Sequence, residues 1–171
     1  KHKMVFIGGA RQVGKTTVAS LISDHFLRPT YLNWDNRLHR QTILQEQWLP
    51  ETDLLIFDEL HKYIRWKSLI KGIWDTRLMD EKIIVTGSSR LDIFRRGGDS
   101  LLGRYHYYRL HPFSLREINR EQMPVVADPE SPPELTLTRT GTDLDTLFQF
   151  GGFPEPFLSG TMRVLRRWQK E

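Results

Sequence analysis

Short continuous apolar runs alternate along the chain with stretches in which apolar residues recur every three or four positions. The first pattern predicts strands buried on both faces of a parallel sheet, and the second predicts helices covering that sheet. Met4-Val5-Phe6-Ile7 reads as the first strand, and Thr17 to Phe26 as a helix with Val18, Leu21, Ile22 and Phe26 on one face. Pro29 to Trp34 is a second strand, Arg37 to Trp48 a helix closed by Pro50, and Asp53 to Glu59 a third strand. The clearest helical period lies in Trp66 to Leu78, where Trp66, Leu69, Ile70, Ile73, Trp74 and Leu78 form one stripe. Lys82 to Gly87 is a fourth strand; Leu91 to Phe94 reads as helical until Gly97-Gly98 breaks it. Arg104 to Leu110 is a fifth strand rich in tyrosine, and Ser114 to Gln122 is a helix opened by Ser114-x-x-Glu117, the pattern of a capping box. The expected fold is a three-layer αβα core on a parallel sheet of about five strands, with a helical C-terminal extension.

Residues 123–142 change character, with Pro124, Pro129, Pro132 and Pro133 among acidic residues and serines, and read as a loop. The expected organisation is therefore a core over 1–122, the proline-rich loop over 123–142 and a helical extension over 143–171. That extension holds Gly151-Gly152-Phe153-Pro154-Glu155 and closes on a helix, Thr161 to Lys170, with Val164, Leu165 and Trp168 on one face. The chain opens inside a core strand and stops on an apolar helix face, which predicts that more chain follows.

Composition narrows the class without choosing a chemistry. At 171 residues, 39% hydrophobic and 27% charged, the chain is an ordinary globular size and mix. No apolar run approaches the ~18 residues of a membrane span. The lack of cysteine removes disulfides and thiolate zinc sites and fits a cytoplasmic setting. A net charge of +4, with 21 acidic residues interspersed, permits contact with DNA but does not argue for it.

The chemistry is carried by Gly9-Ala10-Arg11-Gln12-Val13-Gly14-Lys15-Thr16, which fits G-x-x-x-x-G-K-[ST] between a predicted strand and a predicted helix. Unpaired N–H groups and the helix dipole there converge on one spot, so the loop and Thr17 form an expected anion site for ATP or ADP. Lys15 would reach the β and γ phosphates, and the Thr16 hydroxyl would ligate Mg²⁺. Asp58-Glu59 ends the third strand beside that loop. Asp58 is the expected metal-side carboxylate, and Glu59 can accept a proton from an attacking water. Thr86-Gly87-Ser88-Ser89 ends the fourth strand, where Ser88 or Ser89 could touch the γ-phosphate or simply cap a turn. Of the arginines that follow, Arg104 is the candidate for stabilising transferred charge, against the plainer reading of a salt-bridged surface group. His61 reads as a structural histidine, and Tyr105-His106-Tyr107-Tyr108 as strand packing more simply than as a base-stacking platform. The guanine-selecting Asn-Lys-x-Asp and the H-R-D and D-F-G of protein kinases are absent from the sequence.

GARQVGKTT, IFDELHK, VTGSS, LLGR with LHPFSLREI, and GGFPE follow one another in this order. The series resembles the AAA-type ATPases of bacteria and archaea that carry a C-terminal domain of unknown function, AAA-domain family fourteen. The G-R…PFSLREI and GGFPE segments are the specific part. The resemblance implies an AAA-like core with strand order 5-1-4-3-2, ATP as ligand and Mg²⁺ as cofactor. It makes Lys15 and Thr16 the Walker A residues, Asp58 and Glu59 the Walker B pair, and Ser88 or Ser89 the sensor. It also implies a further C-terminal region, winged-helix-like or nuclease-like, as an intramolecular partner, and leaves a homo-oligomer open. Three functions compete: an ATPase driving a conformational change in that region, a slow nucleotide-gated switch, and a small-molecule phosphotransferase. Glu59 favours the first over the third, because a kinase excludes water in favour of its substrate's hydroxyl.

Overall fold

The computed structural model describes residues 3–77, 81–88, 101–118 and 141–170. The chain divides into two compact units, 1–110 and 111–171.

In the first unit, β1 (Met4–Gly9), β2 (Pro29–Asn33), β3 (Leu54–Asp58), β4 (Lys82–Gly87) and β5 (Tyr105–Leu110) form one sheet in the order β2-β3-β4-β1-β5, every pairing parallel. This is the implied order read from the other edge. All C-terminal strand ends therefore lie along one edge, and the loops there can converge on one ligand. Alternation along each strand builds two apolar layers. One face gathers Met4, Phe6, Leu55, Phe57, Ile83 and Val85 under Trp66, Ile70, Ile73 and Trp74 of α3 (Trp66–Thr76), with Ile43 of α2 (Arg37–Gln45). The other gathers Ile7, Leu54, Ile56 and Ile84 against Ala19, Val18 and Ile22 of α1 (Lys15–Ser23). β3, second from the β2 edge, is buried at all five positions.

The predicted elements shift at their ends for local reasons. α1 begins two residues earlier than its periodicity indicated, because Gly14 takes a left-handed conformation (φ 96°) and hands the chain into the helix at Lys15. α2 starts where expected, capped by the Asn36 side chain accepting from Leu38 N and His39 N, but stops at Gln45 instead of Trp48. Glu46 there turns left-handed at φ 52° and its N–H closes back on Ile43 O and Thr42 O. A 3₁₀ turn (Leu60–Lys62) after β3 was not foreseen. In β5, Tyr105 stacks on Phe6 at 4.5 Å, and Tyr107 lies over Gly8, where a Cβ would stand 2.1 Å from its hydroxyl. Packing thus accounts for both rings. The expected helix Leu91 to Phe94, Ser89 and the 123–140 part of the proline-rich loop lie outside the described residues.

The second unit contains α4 (Leu115–Ile118), α5 (Gly141–Phe150), α6 (Pro154–Ser159) and α7 (Met162–Trp168). The capping box forms reciprocally: Ser114 N donates to Glu117 Oε2 at 2.8 Å, and Glu117 N to Ser114 Oγ at 3.3 Å. The two sequence segments most specific to the resemblance meet here. Phe113 N donates to Gly152 O at 2.7 Å, and a Cβ on Gly152 would lie 2.3 Å from Phe113 O. Phe113 also packs edge-on against Phe157 at 5.6 Å. The expectation that the last helix leaves its apolar face bare needs correction. Leu165 is buried, and Trp168 packs against Phe153 at 4.7 Å, so the GGFPE segment itself covers part of that face. Among the described residues no helix is long and apolar enough to cross a membrane.

Candidate nucleotide site

The loop from Gly9 to Thr16 joins β1 to α1 at the C-terminal edge of the sheet, as its pattern predicts. Its shape depends on close approach as much as on backbone freedom. A Cβ on Gly9 would stand 2.4 Å from the Leu110 carbonyl of β5, so only glycine lets the two strand ends lie together. Val13 is buried and anchors the middle of the loop, while Ala10, Arg11 and Gln12 face solvent and Gln12 is left-handed (φ 59°). Lys15 folds back over this loop, its Nζ donating to Ala10 O at 2.7 Å and Gly9 O at 3.4 Å. Burial pushes its ammonium below the ordinary lysine range; Glu59 and Asp58 pull it back up, and Arg11 adds to the lowering. Thr16 is exposed at its backbone turn but donates from Oγ1 to Asp58 Oδ2 at 2.8 Å, and Thr17 faces solvent.

Asp58 is the hub. It is 1% exposed, yet four hydroxyl and amide groups from three elements satisfy it. Oδ2 accepts from Thr16, from Tyr31 OH at 2.5 Å and from Asn33 Nδ2 at 3.2 Å, while Oδ1 accepts from Thr86 Oγ1. The register explains the convergence. Asn33 pairs with Asp58 across β2 and β3, so Tyr31, two residues back, shares its face. Burial and the Asp58 hydrogen bond push the Tyr31 phenol up to about 12, so it stays a proton donor throughout the physiological range. Tyr31 and Asn33 are site residues that the sequence reading missed. The available signal was alternation: in Tyr31-Leu32-Asn33 only Leu32 enters the core, which leaves two polar groups beside the third strand's acid.

Glu59 leaves β3 in a left-handed turn (φ 57°), with a side chain 23% exposed. Its Oε2 lies 3.1 Å from Lys62 Nζ, which also reaches Asp35 Oδ2 at 2.5 Å. The two carboxylates, Asp35 foremost, hold the Lys62 ammonium above its ordinary range. Ser88 stands just beyond β4 and bonds His61 Nε2 at 2.9 Å. The structure therefore gathers Lys15, Thr16, Asp58, Glu59 and Ser88 at one strand edge.

Arg104, the candidate for stabilising transferred charge, is not among them, and its surroundings match the plainer reading of a salt-bridged surface group. Its carbonyl accepts from Met4 N at the start of β1, and its Nε donates to Asp75 Oδ1 at 3.0 Å. A strand of six residues, about 20 Å, separates it from the phosphate loop of its own chain. Leu-Leu-Gly-Arg at the start of a parallel strand lies on the wrong edge by topology alone.

The donor set suits a small hard cation. One hydroxyl and one carboxylate, each on a separate rigid element and 2.8 Å apart, are what Mg²⁺ uses when phosphate oxygens and water supply the remaining ligands.

No curated protein matches the chain. Among solved structures it is similar to the Orc1 protein of Aeropyrum pernix, determined in complex with DNA, at 16% identity over 67% of this chain and 41% of that one, with a TM-score of 0.49. This chain thus spans less than half of that chain's length. The family model described as an AAA domain, number fourteen of its series, matches residues 1–119. The chain belongs to that AAA-domain family and is an ATP-binding protein of the AAA type.

Proposed function

We propose that the chain hydrolyses ATP with Mg²⁺ and uses the reaction to drive a conformational change in an attached C-terminal region. The observation that supports this best is the Thr16–Asp58 hydrogen bond, because it joins the phosphate loop to a carboxylate that a carboxylate of different environment follows directly. Lys15 would exchange its two loop carbonyls for β and γ phosphate oxygens, acceptors that carry full charge. Mg²⁺, when bound, would be held through Thr16 Oγ1 and Asp58 and would neutralise charge on the phosphate oxygens. Glu59 would take a proton from water as the water oxygen bonds to the γ-phosphorus and the bond to the ADP oxygen breaks. Asp58 is fully occupied by donors, whereas Glu59 is reached by solvent, so the two adjacent acids divide the work by environment.

The test is steady-state phosphate release by the chain with Mg²⁺, across a series of protein concentrations. With Arg104 at the far edge, the expected result is ATP binding with turnover that is slow when dilute and rises with concentration, as an arginine supplied by a second copy would produce. An arginine in trans contributes ~10³–10⁵ in rate in well-studied phosphate-loop systems. Fast, concentration-independent turnover would put the finger in cis. Stoichiometric ATP binding with no turnover at any concentration would favour the nucleotide-gated switch.

A further inference from the structure

His61 lies outside the roles assigned so far, yet it bonds Ser88, the candidate γ-phosphate contact. His61 sits on the 3₁₀ turn directly after the Walker B pair, and its side chain is only 7% exposed. Its Nε2 lies 2.9 Å from Ser88 Oγ and 4.0 Å from Glu59 Oε2. Ser88 continues the β4 face that carries Thr86, whose hydroxyl already donates to Asp58. Two successive same-face residues of one strand end thus reach back to the Asp58-to-Lys62 segment.

A lone serine hydroxyl rotates, and a phosphate oxygen can only accept. Ser88 can donate to a γ-phosphate oxygen only if its proton is not spent on the imidazole. Of the two groups facing Nε2 the Glu59 carboxylate, 4.0 Å away, can only accept; it favours the tautomer with the proton on Nε2, in which that nitrogen donates to Ser88 Oγ. The serine's own proton is left to point at the ligand.

We propose that His61 is a positioning residue that orients the Ser88 hydroxyl toward the γ-phosphate, so that the pair makes the site distinguish nucleoside triphosphate from diphosphate. The inference rests on the nucleotide-site reading above. It links that distinction to the turn carrying Glu59, because the ring that orients the serine is two residues from the proposed base.

The experiment measures affinity for Mg²⁺ with a β,γ-imido ATP analogue and, separately, for Mg²⁺ with ADP, by calorimetric titration, and so does not depend on turnover. Wild type, His61→Leu, His61→Gln, Ser88→Ala and the His61→Leu/Ser88→Ala double variant are compared. Leucine keeps bulk without a donor; glutamine keeps an N–H at similar reach. Wild type should prefer the triphosphate analogue. His61→Leu and Ser88→Ala should each lose about tenfold of that preference, the order of one hydrogen bond to a charged acceptor, with ADP affinity unchanged. His61→Gln should recover most of it, and the double variant should be no worse than Ser88→Ala alone. Equal loss for both nucleotides in His61→Leu would make His61 merely structural and overturn the proposal, as would additive losses in the double variant. Should His61→Leu not fold, retained preference in Ser88→Ala overturns it equally. Wild type binding both nucleotides alike overturns it while leaving the ATP reading intact; wild type binding neither removes that reading and the proposal with it.

Discussion

At the C-terminal edge of the sheet, Asp58 is 1% exposed and accepts hydrogen bonds from Thr16, Tyr31, Asn33 and Thr86. At the opposite edge, Arg104 meets Asp75 at 3.0 Å with both side chains about a third exposed. Each edge has an acid with partners, but the physics differs. A buried carboxylate needs every lone pair answered, so the elements around it are held in one arrangement, and removing one donor is felt by the others. An exposed ion pair competes with water at both ends and constrains little. A charged residue's place along a parallel strand, more than its type, decides whether it joins the chemistry.

The largest effect that would sharpen this contrast is kinetic. Glu59→Gln keeps the shape of the side chain and removes its basicity, so it should bind ATP as wild type does and release phosphate at least ~100-fold more slowly. Turnover like wild type's would show that Glu59 is not the base. Next in size is affinity: Lys15→Ala leaves phosphate charge uncompensated in a partly enclosed site and should weaken ATP binding about tenfold or more by calorimetric titration. Unchanged affinity would break the assignment of the loop as the site.

Tyr31→Phe tests whether the Asp58 cluster acts as a unit. Losing one donor to a buried carboxylate should cost about 1 kcal/mol of stability in urea unfolding. An unchanged unfolding midpoint would mean that Asn33 and Thr16 suffice without the phenol.

The smallest effect is expected at the other edge. Arg104→Ala should leave ATP affinity untouched and change the thermal midpoint only slightly. The Arg104 guanidinium, with Lys71 behind it, holds Asp75 below the ordinary carboxylate range. Its contribution is therefore present above that range and lost as pH falls through the depressed value. The small difference between wild type and Arg104→Ala should be visible in melts at pH 7 and vanish in strong acid. A large loss of concentration-dependent turnover in Arg104→Ala would show instead that the arginine serves a second copy's site.

The strands, the αβα class and the phosphate-loop fold were legible from local pattern. Apolar runs such as Leu54 to Phe57 are long enough to identify themselves as doubly buried strands, and the Gly9–Thr16 spacing encodes its own backbone geometry. Lys15, Thr16, Asp58, Glu59 and Ser88 could be singled out because each sits next to such an element. Tyr31 and Asn33 could not, since they matter only through the β2–β3 register, which brings Asn33 opposite Asp58 across 25 residues of chain. Arg104 failed for the converse reason: its neighbours in sequence suggested a site, while the parallel pairing of β5 with β1 put it at the end of the sheet away from the loop. The meeting of Phe113 with Gly152, the cover of Trp168 by Phe153 and the His61–Ser88 bond are likewise products of folding. Local sequence determines which backbone conformations and which buried faces are available. Which polar side chains then meet depends on register and topology, and those are set by packing the whole sheet at once.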